Sequence, residues 1–302
     1  MKLKKCPLIF ILICLFFSAV FGVAKAEEEV SDQQIGDFAL SGYGERGKKN
    51  WDISGKSADI FTEEVKLKDV DGNLYGKDEN VNLTAKTGNF NKKDGKVHLE
   101  KDVVITTSKG AKLTTDSMDW DRNKQLVTTE DKVNIKKDNM NITATGAHGE
   151  PNLKKIALNK NVQVDIDSEK EPSAASSGLA LGEKTTITCD DSLDIDYDKN
   201  VATFNKNVRV ERPDSVIFSD VMYLYFSSGK EKNEDSKAPD KTSAIMGNNK
   251  IDKIVAKGNV RIVRGENISY SDEAVYNAAD KKITLSGRPK LVFYSTKEFS
   301  GG

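Results

Sequence analysis

Cysteine is scarce in this sequence. Of Cys6, Cys14 and Cys189, the first two sit in an apolar N-terminal run, which leaves one for the body of the chain. No disulfide and no cysteine-based metal site can be built from it within a single copy, and Cys189 reads as a small strand residue. Histidine is equally rare, at His98 and His148, far apart and without a ligand pattern around them. Each reads as an ordinary strand or turn residue. Charge of one sign is missing too: 46 Lys and Arg stand against 47 Asp and Glu, a net of -1. No field favours nucleic acid. There is no G-x-S-x-G, no recognisable Ser/His/Asp triad and no helical stripe between Asp52 and Phe293. These absences argue against an enzyme and against a cofactor.

The one long hydrophobic run is Leu8–Ala24, 17 residues behind the basic start "MKLKK" and ahead of "AKA" at Ala24–Ala26. Residues 1–26 therefore read as a signal peptide or a single inner-membrane anchor helix. With Lys2, Lys4 and Lys5 ahead of the run, either reading puts the rest outside the cytoplasm. Removing these residues takes the net charge from -1 to -5.

The stretch "GYGERGKK" at Gly42–Lys49 matches G-x-G-x-x-G and falls one hydroxyl short of a P-loop. A dinucleotide turn needs a strand before it and a helix after it, so that the helix N-terminus meets the phosphates. Here a strand pattern follows, "WDISGKSADIF". The match is a decoy, and no nucleotide is expected. "DVDGN" at Asp69–Asn73 lacks the spacing of a calcium loop and reads as a turn.

What the chain does have is a repeat. "NFNKKDGKVHLEKDVVI", "DWDRNKQLVTTEDKVNI", "DIDYDKNVATFNKNVRV" and "VYNAADKKITLSGRPKL" align, with Phe90, Trp120, Ile195 and Tyr276 each 13 residues ahead of Val103, Val133, Val208 and Pro289. Partial copies carry Val162 and Val260. The polar cluster inside each unit reads as a hairpin turn. Around the anchors, apolar and polar residues alternate with a period of two and β-branched residues dominate. Units of about 30 residues spaced this way predict an all-β protein, a jelly-roll-like stack of antiparallel hairpins. Two intervals are longer, and the excess falls on the polar inserts Ser168–Lys184 and Ser227–Asn249, which read as linker or surface loop.

At this point the residues carry a family resemblance. "WDISGKSADIFTEEVKLKDVDGNLYG", "LTAKTGNFNKKDGKVHLEKDVVITTSKGAKLTTDSMDWD" and "ITATGAHGEPNLKKIALNKNVQVDI" resemble the periplasmic LptC proteins of lipopolysaccharide export. "SLDIDYDKNVATFNKNVRV" and "IDKIVAKGNVRIVRGENISYSDEAVYNAADKKITLSGRPKL" resemble the related LptA/OstA-like repeat. The expected organisation is a leader at 1–26, a flexible lead-in at 27–47 and an LptC-like β-jellyroll at 48–167. A polar linker at 168–184 and an LptA/OstA-like β-jellyroll at 185–296, with an inserted loop at 227–249, complete it.

The resemblance implies a component that accepts lipopolysaccharide from an inner-membrane ABC transporter and relays it towards the outer membrane. The implied partners are lipopolysaccharide, that transporter and other β-jellyroll components joined through edge strands. Candidate lipid contacts are the inward apolar series Val103, Ile105, Val133, Ile135, Val162, Val164, Val208, Val210, Val260 and Ile262, continued by Leu291 and Phe293. The same positions also read as plain sheet core. Pro289 marks the last strand as an edge, with Lys290–Ser295 the docking side and a first strand at Trp51–Ser57 facing the transporter. Two other readings stay open: a cell-envelope scaffold that binds only protein, and a secreted carbohydrate-binding β-protein. The latter would show surface aromatics in a row beside close acids.

Overall fold

A period-two pattern sustained over ten or more residues gives strands with one enclosed and one wet face, joined by turns where Asn, Asp, Lys and Gly gather. The structure is a computed structural model that describes residues 31–44, 47–76, 80–121, 123–124, 126–137, 139–150, 155–167, 184–227 and 250–294. Its first nine strands are β1 (Gln33–Tyr43), β2 (Lys49–Ile60), β3 (Glu64–Tyr75), β4 (Asn80–Asn91), β5 (Lys96–Thr107), β6 (Lys112–Asp121), β7 (Leu126–Lys137), β8 (Met140–Gly149) and β9 (Lys155–Ile166). The rest are β10 (Thr185–Cys189), β11 (Leu193–Asp196), β12 (Val201–Arg212), β13 (Ser215–Ser227), β14 (Lys250–Arg264), β15 (Asn267–Asn277), β16 (Lys282–Ser286) and β17 (Lys290–Val292).

All of them belong to one antiparallel sheet in which pairing follows chain order. β10 and β11 share one place, both lying between β9 and β12 and separated by Asp190–Ser192. β16 and β17 likewise share the far side of β15, broken at Gly287–Pro289. Each sequence repeat is thus one pair of strand paths. The all-β architecture fits a β-jellyroll, and no α-helix occurs among the described residues. The leader at 1–26 lies outside the described residues, as do nearly all of the two polar inserts. The sheet nonetheless runs on past both inserts: Ile166 is in register with Thr185, and Ser227 with Lys250.

Most long strands bend in the middle. The bend is a bulge of residues in the left-handed region: Lys101 and Asp102 in β5, Asn161 in β9, Lys206 and Asn207 in β12, and Gly258 and Asn259 in β14. The register shifts at or beside these points in each case. Asn and Asp tolerate this conformation better than other residues with a Cβ. Gly258 is required for a second reason, since a Cβ there would lie 2.2 Å from the Asp220 carboxylate. Asp220 in turn accepts a 2.9 Å hydrogen bond from Asn259, and Asp190 one of 2.7 Å from Asn207. In these four strands the anchor valine follows directly, so the bend turns it into the fold's interior; Val133 in β7 follows a register shift without a left-handed residue. Val103, Val133, Val162, Val208 and Val260 are all 0 or 1 % exposed.

The apolar interior packs unevenly along the sheet. One large cluster runs from Val133 to Tyr276 and mixes residues from both sides of the 168–184 insert, among them Val164, Ile187, Leu193, Phe204 and Ile254. Two smaller clusters serve the N-terminal strands, one around Phe38, Leu67 and Val70, the other around Ala85, Leu99, Val103 and Met118.

Three expectations are corrected. The stretch 27–47 is not a flexible lead-in throughout, because β1 pairs along nearly all its length with β2 and seats Phe38 against Gly55. The first strand is therefore β1, and Trp51–Ser57 lies one place inside the edge. "DVDGN" is no turn: it lies within β3, where Asp69 alone takes a left-handed bend and the following residues pair on to β4.

Because the largest core crosses from one repeat group into the other, the folded chain should unfold as one unit. Leu193→Ala, at a fully enclosed position in β11, should cost about 2–5 kcal/mol. It should move a single calorimetric transition downward; two transitions of which only one moves would contradict the shared core.

Candidate functional site

Cross-strand partners in an antiparallel sheet point to the same face, so the register tables the interior position by position. Leu40 in β1 is opposite Ile53, Ile53 opposite Gly72, Gly72 opposite Leu83, and Leu83 opposite Ile105. The row goes on through Leu113, Ile135, Ile142, Val164 and Ile187. Val210, Ile217, Ile262, Ser269 and Leu291 complete it at β17. At about 4.8 Å per strand this apolar seam is roughly 65 Å long. A second row on the other limb of the bent strands runs through Ile60, Val65, Phe90, Val97, Trp120 and Val127, then Ile195, Ala202, Leu224, Ile254 and Tyr276. The two rows meet in the large cluster, where Val164, Ile187 and Val210 pack with Ile195, Leu224 and Ile254.

Exposure along the seam divides it. From Ile135 to Ile217 every member is buried, whereas Ile53, Leu83, Ile105 and Leu113 are half-buried and Leu40 is 58 % exposed. At the C-terminal end Ile262 is half-buried and Leu291 is 54 % exposed. The apolar lining is thus accessible at both ends and filled by its own side chains between.

This placement sorts the candidate residues. Ile105, Ile135, Val164, Val210, Ile262 and Leu291 all belong to the seam. Val103, Val133, Val162, Val208 and Val260 belong to the bends, opposite the small residues Thr115, Ala144, Cys189, Ser219 and Ser271, and are enclosed. Leu291 keeps the inward side but gains no cover. Phe293 lies past the end of β17, 72 % exposed, so its expected inward packing is not found. Among the described residues β17 has β15 as its neighbour and none beyond it, which leaves both residues open. Of the seam's apolar members, sequence alternation named Ile105, Ile135, Val164, Val210, Ile262 and Leu291. It did not name Leu40, Ile53, Leu83, Leu113, Ile142, Ile187 or Ile217, whose signal is their register and not their spacing.

Titratable groups give no catalytic or metal cluster: among the described residues no three His, Cys, Asp or Glu side chains could hold an ion. Cys189 is buried at the end of β10, and burial pushes its thiol up to about 11. It is an inert packing residue. Gly42–Lys49 joins β1 to β2 as a hairpin, closed by the Gly44 amide donating 2.9 Å to the Lys48 carbonyl. His98 stands on the wet face of β5 with Nδ1 2.7 Å from Asp119 and Nε2 3.0 Å from Glu100. Partial burial disfavours its charge, but the two carboxylates outweigh this and raise its pKa above the ordinary histidine value.

Comparison with known families agrees with this geometry. The family model for lipopolysaccharide-assembly, LptC-related proteins matches residues 8–167. That for the LptA/(LptD N-terminal domain) lipopolysaccharide transport protein matches residues 187–301. No curated protein matches the chain. The division between the two matches falls at the insert between β9 and β10, where the sheet itself does not break.

The His98 contacts carry a pH signature. A raised folded-state pKa means that the pair of carboxylates stabilises the fold below the unfolded histidine value, and that this is lost as pH rises through the folded value. A proton-detected titration of His98 should give a midpoint above that of a model histidine, and Asp119→Asn should lower it. A midpoint at or below the model value would mean that the contacts do not form.

Proposed function

Because the chain belongs to the LptC-related family of lipopolysaccharide-assembly proteins, matched over more than half its length, we propose that its apolar seam accepts lipopolysaccharide acyl chains from an inner-membrane ABC transporter and relays them towards the outer membrane. A role in lipopolysaccharide transport follows from the two family matches together. The relay rests on one observation above all, the unbroken register row from Leu40 to Leu291. The location follows from the same families: a periplasmic protein, held at the inner membrane if residues 1–26 stay in place as its anchor.

The physical need for such a seam is large. Each CH₂ moved from apolar surroundings into water costs about 0.8 kcal/mol, so a chain of a dozen carbons costs roughly ten. A free intermediate is therefore far too rare to carry flux. A bent sheet answers this by enclosing the acyl chains against Ile, Leu and Val while the sugars stay in water. The half-buried stretch Ile53–Leu113 is where chains enter, since the seam there has room that its own side chains do not fill. Passage beyond Ile135 requires the two limbs to part, because Val164, Ile187 and Val210 are packed shut. Energy for that comes from the transporter.

The sheet ends supply the junctions. Among the described residues, β1 at one end and the β16–β17 path at the other have no neighbour on their outer side, the usual template for adding a strand from a partner. In this proposal β1 meets the transporter side and β17 the next β-jellyroll component, with Leu291 and Phe293 continuing the apolar lining across the joint. The scaffold reading predicts the same edges but no lipid in the seam.

Two experiments separate these readings. A photo-crosslinker at Ile105 should capture lipopolysaccharide in cells only when the transporter is active, while one at Lys112, on the wet face, should capture none. Equal capture at both positions would remove the relay and leave the scaffold. Proline introduced at Leu291 and at Val292, one variant each, should weaken partner binding at least tenfold in one of them and leave the melting temperature within a few degrees. Normal assembly by both would place the docking edge elsewhere.

A further inference from the structure

The alternation that points Val208, Val210, Ile217, Val260 and Ile262 inward points their neighbours outward, and those neighbours form a row of their own. Arg209 in β12 is in register with Phe218 in β13, Phe218 with Arg261 in β14, Arg261 with Tyr270 in β15, and Tyr270 with Lys290 in β17. Cations and aromatic rings therefore alternate across five strands. The Arg261 guanidinium lies over the Phe218 ring at 4.2 Å and that of Arg209 at 5.7 Å. Tyr270 is 39 % exposed. Beside this row stand the bends, with the carboxylates of Asp190, Asp220 and Asp272 and the amides of Asn207 and Asn259. The two rows line one groove of about 910 Å³.

The groove's chemistry is specific. Its cations are Arg209, Arg261, Arg288 and Lys290, and its anions Asp190, Asp220 and Asp272. Asp272 is paired with Arg288 at 3.7 Å, and Arg209 also meets Glu211 at the groove's rim. A uniform polyanion would meet the carboxylates as well as the guanidiniums and gain little. A ligand that brings hydroxyl donors for the Asp row, a ring face for Tyr270 and anionic groups for the arginines satisfies every wall at once. Saccharides carrying phosphate or carboxylate have that combination. Arg209 and Arg261 lie two strands apart, about 10 Å, a spacing that fits charges on different sugar units.

We propose that this outer-face groove binds an anionic saccharide, with Arg209 and Arg261 holding its charged groups, Tyr270 its ring face, and Asp190 and Asp220 its hydroxyls. The site lies on the opposite face of β12–β15 from the apolar seam, and it does not depend on acyl chains entering that seam. Its Arg–aromatic row is assembled by pairing from residues more than fifty positions apart.

Isothermal titration of the full chain with fully deacylated, phosphorylated lipopolysaccharide oligosaccharide tests it, since this probe has no acyl chain for the seam. Binding should weaken at least tenfold in the double variant R209Q/R261Q and severalfold in Tyr270→Leu, with both melting as the parent does. An oligogalacturonate in parallel distinguishes the source of the charge. Binding of the phosphorylated probe alone assigns a lipid head group, and binding of both assigns acidic glycans generally. Absence of binding to either, equal binding of neutral dextran or of a thymidine oligonucleotide, or full binding by R209Q/R261Q would overturn the proposal.

Discussion

Everything in this fold depends on cross-strand register. Side chains alternate between faces with a period of two, so a slip of one residue in any pair would send its apolar residues into water and its lysines into the core. The bends act as the pins. A left-handed pair such as Lys206–Asn207 or Gly258–Asn259 fits one place in the ladder, and the Asn of each is tied to an aspartate on the neighbouring strand path, Asp190 or Asp220. With the bends aligned, the anchor valines fall into line behind them. The seam on one face and the Arg–aromatic row on the other follow as two results of one alignment.

Much of this was legible in the sequence, and the reason is specific. Repeats of about 30 residues put the same dipeptide class, Lys-Asn, Gly-Asn or Gly-Arg, directly ahead of Val208, Val260 and Pro289. The all-β class, the hairpins and the enclosed anchors could be read from that pattern. The N-terminal end could not. β1 carries Gly36 and Gly42 and little alternation, because Asp37 takes a left-handed bend within it, so its strand identity comes from pairing with β2. The same limit hid the outer groove. Phe218 and Tyr270 carry no signal as single residues and acquire one only when β13, β14 and β15 lie side by side.

The uneven interior has a physical source in side-chain size. Between β7 and β15 the facing rows supply Ile, Leu, Met, Phe and Tyr, enough to fill the space between the limbs. Towards the N-terminus, Gly72, Ala85 and Gly88 take places in the interior, and the half-buried leucines and isoleucines around them do not close the gap. A sheet of constant design is thus tightly filled through its middle strands and more accessible towards its N-terminal end. The change falls between β6 and β7, inside the first family match, while the two matches divide later, between β9 and β10, where the backbone ladder carries on.

Strictly sequential pairing also governs how the chain reaches this state. Each strand path pairs with the one before it, so loop closure is short at most steps, the two polar inserts being the exceptions, and no distant segment has to be awaited. A chain delivered N-terminus first can zip up strand by strand as it emerges, with the newest edge always the one exposed. Among the described residues the sheet stops growing at β17, which pairs with β15 and has no neighbour on its other side. In the proposed relay, a partner strand added at this edge would repeat the reaction by which the chain built its own sheet.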